Sequence, residues 1–362
     1  MKSAATPLVT DPSTSLAAPA HSGASSSSAP LSRRLLVLLE RSGLLLVLAA
    51  MVVLFTAREP AFLNVANLFS ILQAVSIVAL LGIGVTITLA AGGFDLSVGS
   101  VAASAQMAAS YVLVVWHGNA WEAAAACLAL GVAAGLFNGA LITRLHVPDQ
   151  LATLGTLFLL AGLQLTPTGG RSLATGTILP DGTEASGTFP DAFLALGRAR
   201  FFFDVVPAPV LVLAALTVLV SVVMAATRWG RVIYAIGGNE TAARLAGAPA
   251  ARYRVAAYVA SGVLASLGGL LIAARVGRGD VSAGHSLLLD AVAASLVGYA
   301  VWGAKRPNVP GTVIGAVFVG VLLNGLTMLN APYYLQDCIK GALLVVALAF
   351  TFSIGRKNDA RA

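Results

Sequence analysis

The sequence predicts an all-α, polytopic integral membrane protein with about ten transmembrane helices and both termini in the cytoplasm. Three observations carry that expectation. Of 362 residues, 58% are hydrophobic and only 10% charged, whereas a soluble domain carries about a quarter charged residues. The charges gather between long runs that hold none. Lys and Arg crowd alternate connections, as the cytoplasmic loops of membrane proteins do.

A helix needs roughly 20 apolar residues to cross hydrocarbon, since each rises about 1.5 Å and every backbone polar group must find a partner inside the segment. The charge-free runs are Ser42–Ala57, Leu68–Ala91, Leu96–Trp116, Ala123–Thr143, Gln150–Gly170, Val205–Thr227, Val255–Ala274, Ala291–Ala304, Pro307–Gln336 and Gly341–Gly355. The first, eighth and tenth are short and borrow flanking residues from Leu35–Leu39, Val281–Leu289 and Gln336–Lys340. With ten alternating crossings and the N-terminus inside, the cytoplasmic side holds Lys2, Arg33, Arg34, Arg41, Arg144, five arginines between Arg228 and Arg254, Lys305, Arg306, Arg356, Lys357 and Arg361. The far side holds Arg58, Arg171, Arg198, Arg200, Arg275 and Arg278, with Lys340 at a helix end. A miscount by one crossing would invert every later loop and spoil this asymmetry.

Residues 1–34 are rich in Ala, Ser and Pro and are expected to form a disordered cytoplasmic tail. The apolar stretch begins only near Leu35 and continues as a full span, which fits an uncleaved first helix better than a signal peptide. Residues 35–355 form the transmembrane domain, with an outer loop at 171–206 and a cytoplasmic segment at 228–254, and 356–362 form a second cytoplasmic tail. The outer loop, rich in Gly, Thr, Asp and Pro, is a candidate docking surface. Cys127 and Cys338 sit far apart in apolar runs and read as small buried hydrophobes. His21, His117, His146 and His285 show no metal-ligand spacing, and no metal site is expected.

Within 228–254, Asn239 is a good N-cap and Glu240 suits a positive first turn. Glu240 and Arg244 form an i,i+4 pair, and Gly247 can close a helix in the left-handed conformation. A helix of about two turns over Asn239–Gly247 is therefore expected outside the membrane. So short a helix is marginal alone and should dock against something; the other reading is a basic loop that only enforces topology. In Gly92-Gly93-Phe94-Asp95-Leu96-Ser97, a carboxylate lies between two apolar runs. It marks a helix break with Asp95 or Ser97 capping the next helix, or else a functional site, since a buried Asp is costly. The abundance of Asp at helix starts favours the turn. Gly311, Gly315, Gly320 and Gly325 put small residues at four- and five-residue intervals, which favours close helix packing.

With these segments the chain resembles the permease subunits of bacterial ATP-binding-cassette importers for monosaccharides, of the ribose, xylose, galactose and rhamnose kind. The resemblance runs from about Asn67 to Phe350. It rests on Gly92–Ser100, Leu154-Gly155-Thr156, Gly237–Gly247 and Gly311–Ala316; the chain departs from the family at Trp302–Pro310, where a Gly-rich turn is usual, and the sugar is left open. The resemblance implies residence in the bacterial inner membrane and a coupling helix formed by Asn239, Glu240, Ala242, Ala243, Arg244, Leu245 and Gly247 that inserts into an ATPase subunit. It also implies a periplasmic substrate-binding protein and a second permease, copy or homologue. No lysine follows a glycine, so no P-loop is present, and ATP is expected on the partner. No cofactor, catalytic residue or nucleic-acid partner is expected of this chain, which meets membrane lipid. Transport would proceed by rigid-body rocking of packed spans.

A sugar in transit wants neutral hydrogen-bonding groups, so Gln73, Gln106, Asn138, Gln164, Asn324 and Asn330 join Asp95 as pathway candidates. Each could equally bond between helices. Asp290 could line an outer gate, while Asp337 and Lys340, three residues apart, would neutralise each other. An ion-coupled secondary carrier would need Asp95 or Asp290 to titrate within the membrane. An integral membrane enzyme acting on lipid-linked sugars would need clustered charge, and the outer loop offers only scattered Arg171, Asp181, Glu184, Asp191, Arg198, Arg200 and Asp204.

Overall fold

The computed structural model describes residues 31–203, 205–301 and 306–359. Its helices are α1 (Leu31–Arg58), α2 (Val65–Ala90), α3 (Val98–Val114), α4 (Ala120–Thr143), α5 (Asp149–Leu165), α6 (Asp191–Arg198), α7 (Ala208–Ala226), α8 (Arg228–Gly238), α9 (Glu240–Leu245), α10 (Ala250–Val276), α11 (Ala283–Val301), α12 (Val309–Met328) and α13 (Tyr333–Asp359). The only paired strands among the described residues are the two-residue β1 (Arg200–Phe201) and β2 (Val206–Pro207). Six helices there are long and apolar enough to cross a membrane: α2, α4, α5 with its 3-10 extension to Thr168, α7, α10 and α12. Each of the ten apolar runs overlaps a helix within its described residues.

Helix boundaries follow local chemistry. Asn64 caps α2, and Asn119 with Glu122 forms a reciprocal capping box on α4. The long run Pro307–Gln336 divides where Asn330 adopts positive φ at the end of α12 and Pro332 precedes α13. The expected tail at 1–34 lies outside the described residues up to 30. From Leu31 it is helical, so α1 starts four residues before the expected 35. Likewise α13 runs past 355 to Asp359, because no proline intervenes to stop it. Asp204 and residues 302–305 of the departure at Trp302–Pro310 lie outside the described residues.

Small residues bring the helices together. On α4, a Cβ at Gly131, Gly135 or Gly139 would meet Gly262, Tyr258 or Val255 of the central helix α10 at 3.0 Å or less. Gly298 of α11 faces Gly311 of α12, and Gly315 faces Ala294. Gly320 packs on Val75 and Gly325 on Phe55, so the spaced glycines of this stretch serve packing. By contrast α5 and α7 turn Leu151, Phe158, Leu163, Leu219 and Val222 outward, a costless arrangement where the solvent is hydrocarbon.

The connections collect at two ends of the bundle. At one, Gly92 abuts Gly237, Arg254 meets Asp149, and Tyr234 reaches Pro307. At the other, Gln73 bonds to Gly197, Gly187 to Val114, Leu173 to Gly279, and Arg198 to Arg275. The segments 171–206 and 228–254 therefore lie at opposite ends.

One expectation is extended and one is corrected. Lys340 pairs with Asp290 of α11 at 3.1 Å, closer than Asp337 at 3.8 Å, because the Asp290 side chain is buried facing α13 while that of Asp337 points outward. Cys127 is buried but Cys338 is exposed, since α13 packs chiefly against α11 at the bundle edge.

Candidate functional site

The end that carries 228–254 is built from two short helices. Thr227 caps α8 by accepting from Gly230 N–H, and Ile233 and Ile236 turn inward. The Asn239 side chain then accepts from Ala242 N–H at 2.9 Å and starts α9. Ala243 packs with Ile236 and Ala250, and Gly247 closes the segment at φ 84°. The short helix expected here is thus present as Glu240–Leu245. Leu245 is 86% exposed, an apolar side chain held out from the end of the bundle.

Ionic contacts join this platform to the helices beneath. Glu240 accepts from Arg244 at 2.6 Å and from Arg254 at 3.1 Å. Arg254 also donates to both oxygens of Asp149, at 2.9 and 2.7 Å. The Tyr258 hydroxyl donates to the same carboxylate at 2.8 Å. Nearby, Tyr234 donates to the Pro307 carbonyl at 2.8 Å and lies under the Arg306 guanidinium. Burial pushes the Tyr234 hydroxyl above the usual phenol range, so it remains a neutral donor.

Between this end and the interior lies a cavity of about 960 Å³. Its wall is apolar, with Leu89, Phe94, Leu96, Leu288, Val292 and Leu296, and its polar groups are Asp149, Gln150, Tyr234, Tyr299 and Arg306. That balance of apolar wall and few polar groups suits a small polar molecule. A second cavity, of about 430 Å³, lies toward the other end between α3, α4 and α5.

Deeper still is the Asp95 turn. The chain leaves α2 at Gly92, which has φ 78°, and runs without helix until Val98. Asp95 is 1% exposed. One oxygen accepts from Ser97 N–H and Oγ at 2.9 and 2.6 Å, the other from Ser261 Oγ of α10 at 2.7 Å. Ser97 Oγ accepts in turn from Asn138 of α4, whose oxygen accepts from Thr156 of α5. One polar cluster thus ties the turn to three helices.

Of the candidates, Asp95 and Asn138 are brought together; the others are not. Gln73 donates to Gly197 O at 2.7 Å, Gln106 to Arg278 O at 2.9 Å, and Gln164 to Val281 O at 3.4 Å. Asn324 exchanges hydrogen bonds with Asn67 across two helices, and Asn330 sits exposed in the left-handed turn after α12. The sequence reading missed α8, Arg254 as a bridge, and the cavity residues Asp149, Gln150 and Tyr234. The signal available for Asp149 was an acid beside Pro148 at the start of a span.

The Asp95 bonds give a direct test. In Asp95→Asn the amide oxygen keeps the Ser97 bonds and the NH2 donates to Ser261 Oγ, so insertion, melting temperature and uptake are expected near normal. Asp95→Ala strands buried donors at about 1–3 kcal/mol each and lowers the melting temperature. Selective loss of uptake in stably inserted Asp95→Asn protein would show that the charge itself is needed.

A family model described as "Branched-chain amino acid transport system / permease component" matches residues 67–348. The ribose import permease protein of Escherichia coli strain K12 is 34% identical over 304 residues, covering 84% of this chain and 91% of the relative. That of Bacillus subtilis strain 168 is 32% identical over 314 residues, 86% and 92% of the two chains. The xylose transport system permease protein of Haemophilus influenzae is 30% identical over 352 residues, 84% of this chain and 94% of the relative. No solved structure matches significantly. These relatives are transport permeases and not enzymes. With matches over most of its length and a bundle of long apolar helices, the chain belongs to the family of transport-system permease components that includes the ribose and xylose permeases, and is a multi-pass protein of the bacterial inner membrane.

Proposed function

We propose that this chain is the membrane-spanning permease subunit of an ATP-driven importer that carries a monosaccharide or similar small polar solute. The observation that carries the reading is the 34% identity to a ribose import permease across 84% of the chain. The chain crosses the membrane ten times with both termini in the cytoplasm. The gathering of loops at two ends supports this, as does the charge asymmetry between them. The transmembrane domain spans 35–355, with a periplasmic loop at 171–206.

A separate ATPase subunit binds ATP and docks on Asn239, Glu240, Ala242, Ala243, Arg244, Leu245 and Gly247; the projecting Leu245 and the amphipathic platform favour this. A periplasmic binding protein delivers solute to the 171–206 loop, and a second permease completes the pore. The chain itself holds no cofactor. Solute leaves through the cavity beside Phe94 and Leu96, past the Asp95 and Asn138 cluster. Gln73, Gln106, Gln164 and Asn324 stand as further path residues whose present bonds must break during the cycle, and the exposed Asn330 as another.

The test is accumulation of radiolabelled solutes in vesicles holding this chain, its ATPase, its binding protein and internal ATP. A pentose or hexose is expected to accumulate. The family description favours one other cargo class, so leucine, isoleucine and valine are included, and accumulation of these alone would overturn the sugar assignment.

A further inference from the structure

Arg254 occupies a position that the docking reading leaves without a role. It joins Glu240, the first residue of α9, to Asp149, the first residue of α5, through different nitrogens of one guanidinium. Its side chain and that of Asp149 are each 17% exposed, so these charges are shielded from water and salt far more than a surface pair. A planar fork that bridges two carboxylates is an arrangement lysine cannot reproduce.

The far side of Asp149 touches the interior turn. A Cβ built on Gly93 would lie 2.2 Å from the Asp149 carboxylate and 2.4 Å from the Tyr258 hydroxyl, so the Gly93 backbone rests directly on that pair. Gly92, one residue earlier, rests on Gly237 of α8. Two residues on is Asp95, anchored to Ser261 in the middle of α10. The turn that enters the bundle is therefore gripped from the docking end on both sides. Meanwhile α9 buries a single side chain, Ala243, so packing alone gives it little purchase on the spans. Its one ionic tie to the bundle among the described residues is Glu240 to Arg254.

We infer that Arg254 is the joint that carries displacement of α9, through Asp149, to the Gly93–Asp95 turn and hence to the transport path. The inference rests on the reading that an ATPase docks on α9. Tilting α9 moves Glu240, and the guanidinium transmits the motion to Asp149, which holds it by two hydrogen bonds at 17% exposure and cannot release it cheaply; the Glu240 end, 31% exposed, is the looser grip. Gly93 must follow, since no gap separates it from the carboxylate. Arg254 is a positioning residue, acting on the path through the turn, whereas Asp149 also lines the cavity itself.

The test uses vesicles holding the assembled importer, with solute uptake and ATP hydrolysis measured in parallel. Arg254→Gln is expected to assemble and hydrolyse ATP as wild type does, with uptake per ATP lowered about tenfold or more. Asp149→Asn should show the same split, and the double variant should be no worse than Arg254→Gln, as expected for residues acting as one unit. Arg254→Lys, which keeps the charge but reaches one carboxylate at a time, should fall between. Uptake per ATP within about twofold of wild type in Arg254→Gln overturns the inference. So does equal loss of hydrolysis and uptake in all variants, which would mark Arg254 as a structural staple. Wild-type complex lacking ATP-dependent uptake would instead overturn the docking reading and the joint with it.

Discussion

Leu245→Asp is expected to leave the protein inserted and folded while abolishing ATP-driven uptake. The side chain is 86% exposed and at the last position of α9. A carboxylate there stays hydrated, at a cost of only about 0.3–1 kcal/mol for an acid near a helix C-terminus. Once a partner covers the position, the same carboxylate must be buried without a partner charge, which costs several kcal/mol. A loss of about 3 kcal/mol weakens docking by more than about a hundredfold. Retention of the ATPase on the immobilised permease, read beside the permease's own melting curve, checks this. Full retention with normal coupled uptake would remove α9 from the interface.

Gly135→Leu is expected to have the largest effect on folding. The missing side chain of Gly135 is where α4 meets α10: a Cβ would lie 2.5 Å from the Tyr258 carbonyl oxygen and from Val259 Cα. These are backbone atoms of a rigid helix and cannot rotate away, so the helices must part. Overpacking of a core costs about 1–3 kcal/mol where side chains can yield, and more where they cannot. The parting would also loosen Tyr258 from Asp149. Gly155→Leu provides the contrast, since nothing lies within 4 Å of a Cβ there. Folded, monodisperse protein in detergent should be lost in the first variant and kept in the second. Equal yields would show that the α4–α10 contact does not hold the bundle together.

The sequence made the helices legible because hydrocarbon demands long uninterrupted apolar runs, and α9 legible because Asn239, Glu240 and Gly247 are local signals acting over a few residues. The neighbouring α8 was not, since Arg228-Trp229-Gly230-Arg231 reads as a basic loop, and its helix depends on burying Ile233 and Ile236 against other elements. The Arg254–Asp149 pair joins residues 105 apart, and Asp95–Ser261 residues 166 apart, contacts no local rule can specify. Polarity within a span identified Gln73, Gln106 and Asn324 as groups needing a partner but not which one. The Asp337–Lys340 pair forms, at 3.8 Å, but spacing could name only that neighbour, and the fold adds the closer and better-buried Asp290 at 3.1 Å.

The proposed function makes this chain a gate moved by an ATPase it does not contain. It is tested most directly by comparing vesicles that hold the chain alone with vesicles that also hold its ATPase and binding protein, each with and without ATP and an uncoupler. Uphill solute accumulation only in the complete set, dependent on ATP and indifferent to the uncoupler, is the predicted result. Uphill accumulation by the chain alone, collapsed by the uncoupler, would contradict the account and identify an ion-coupled carrier.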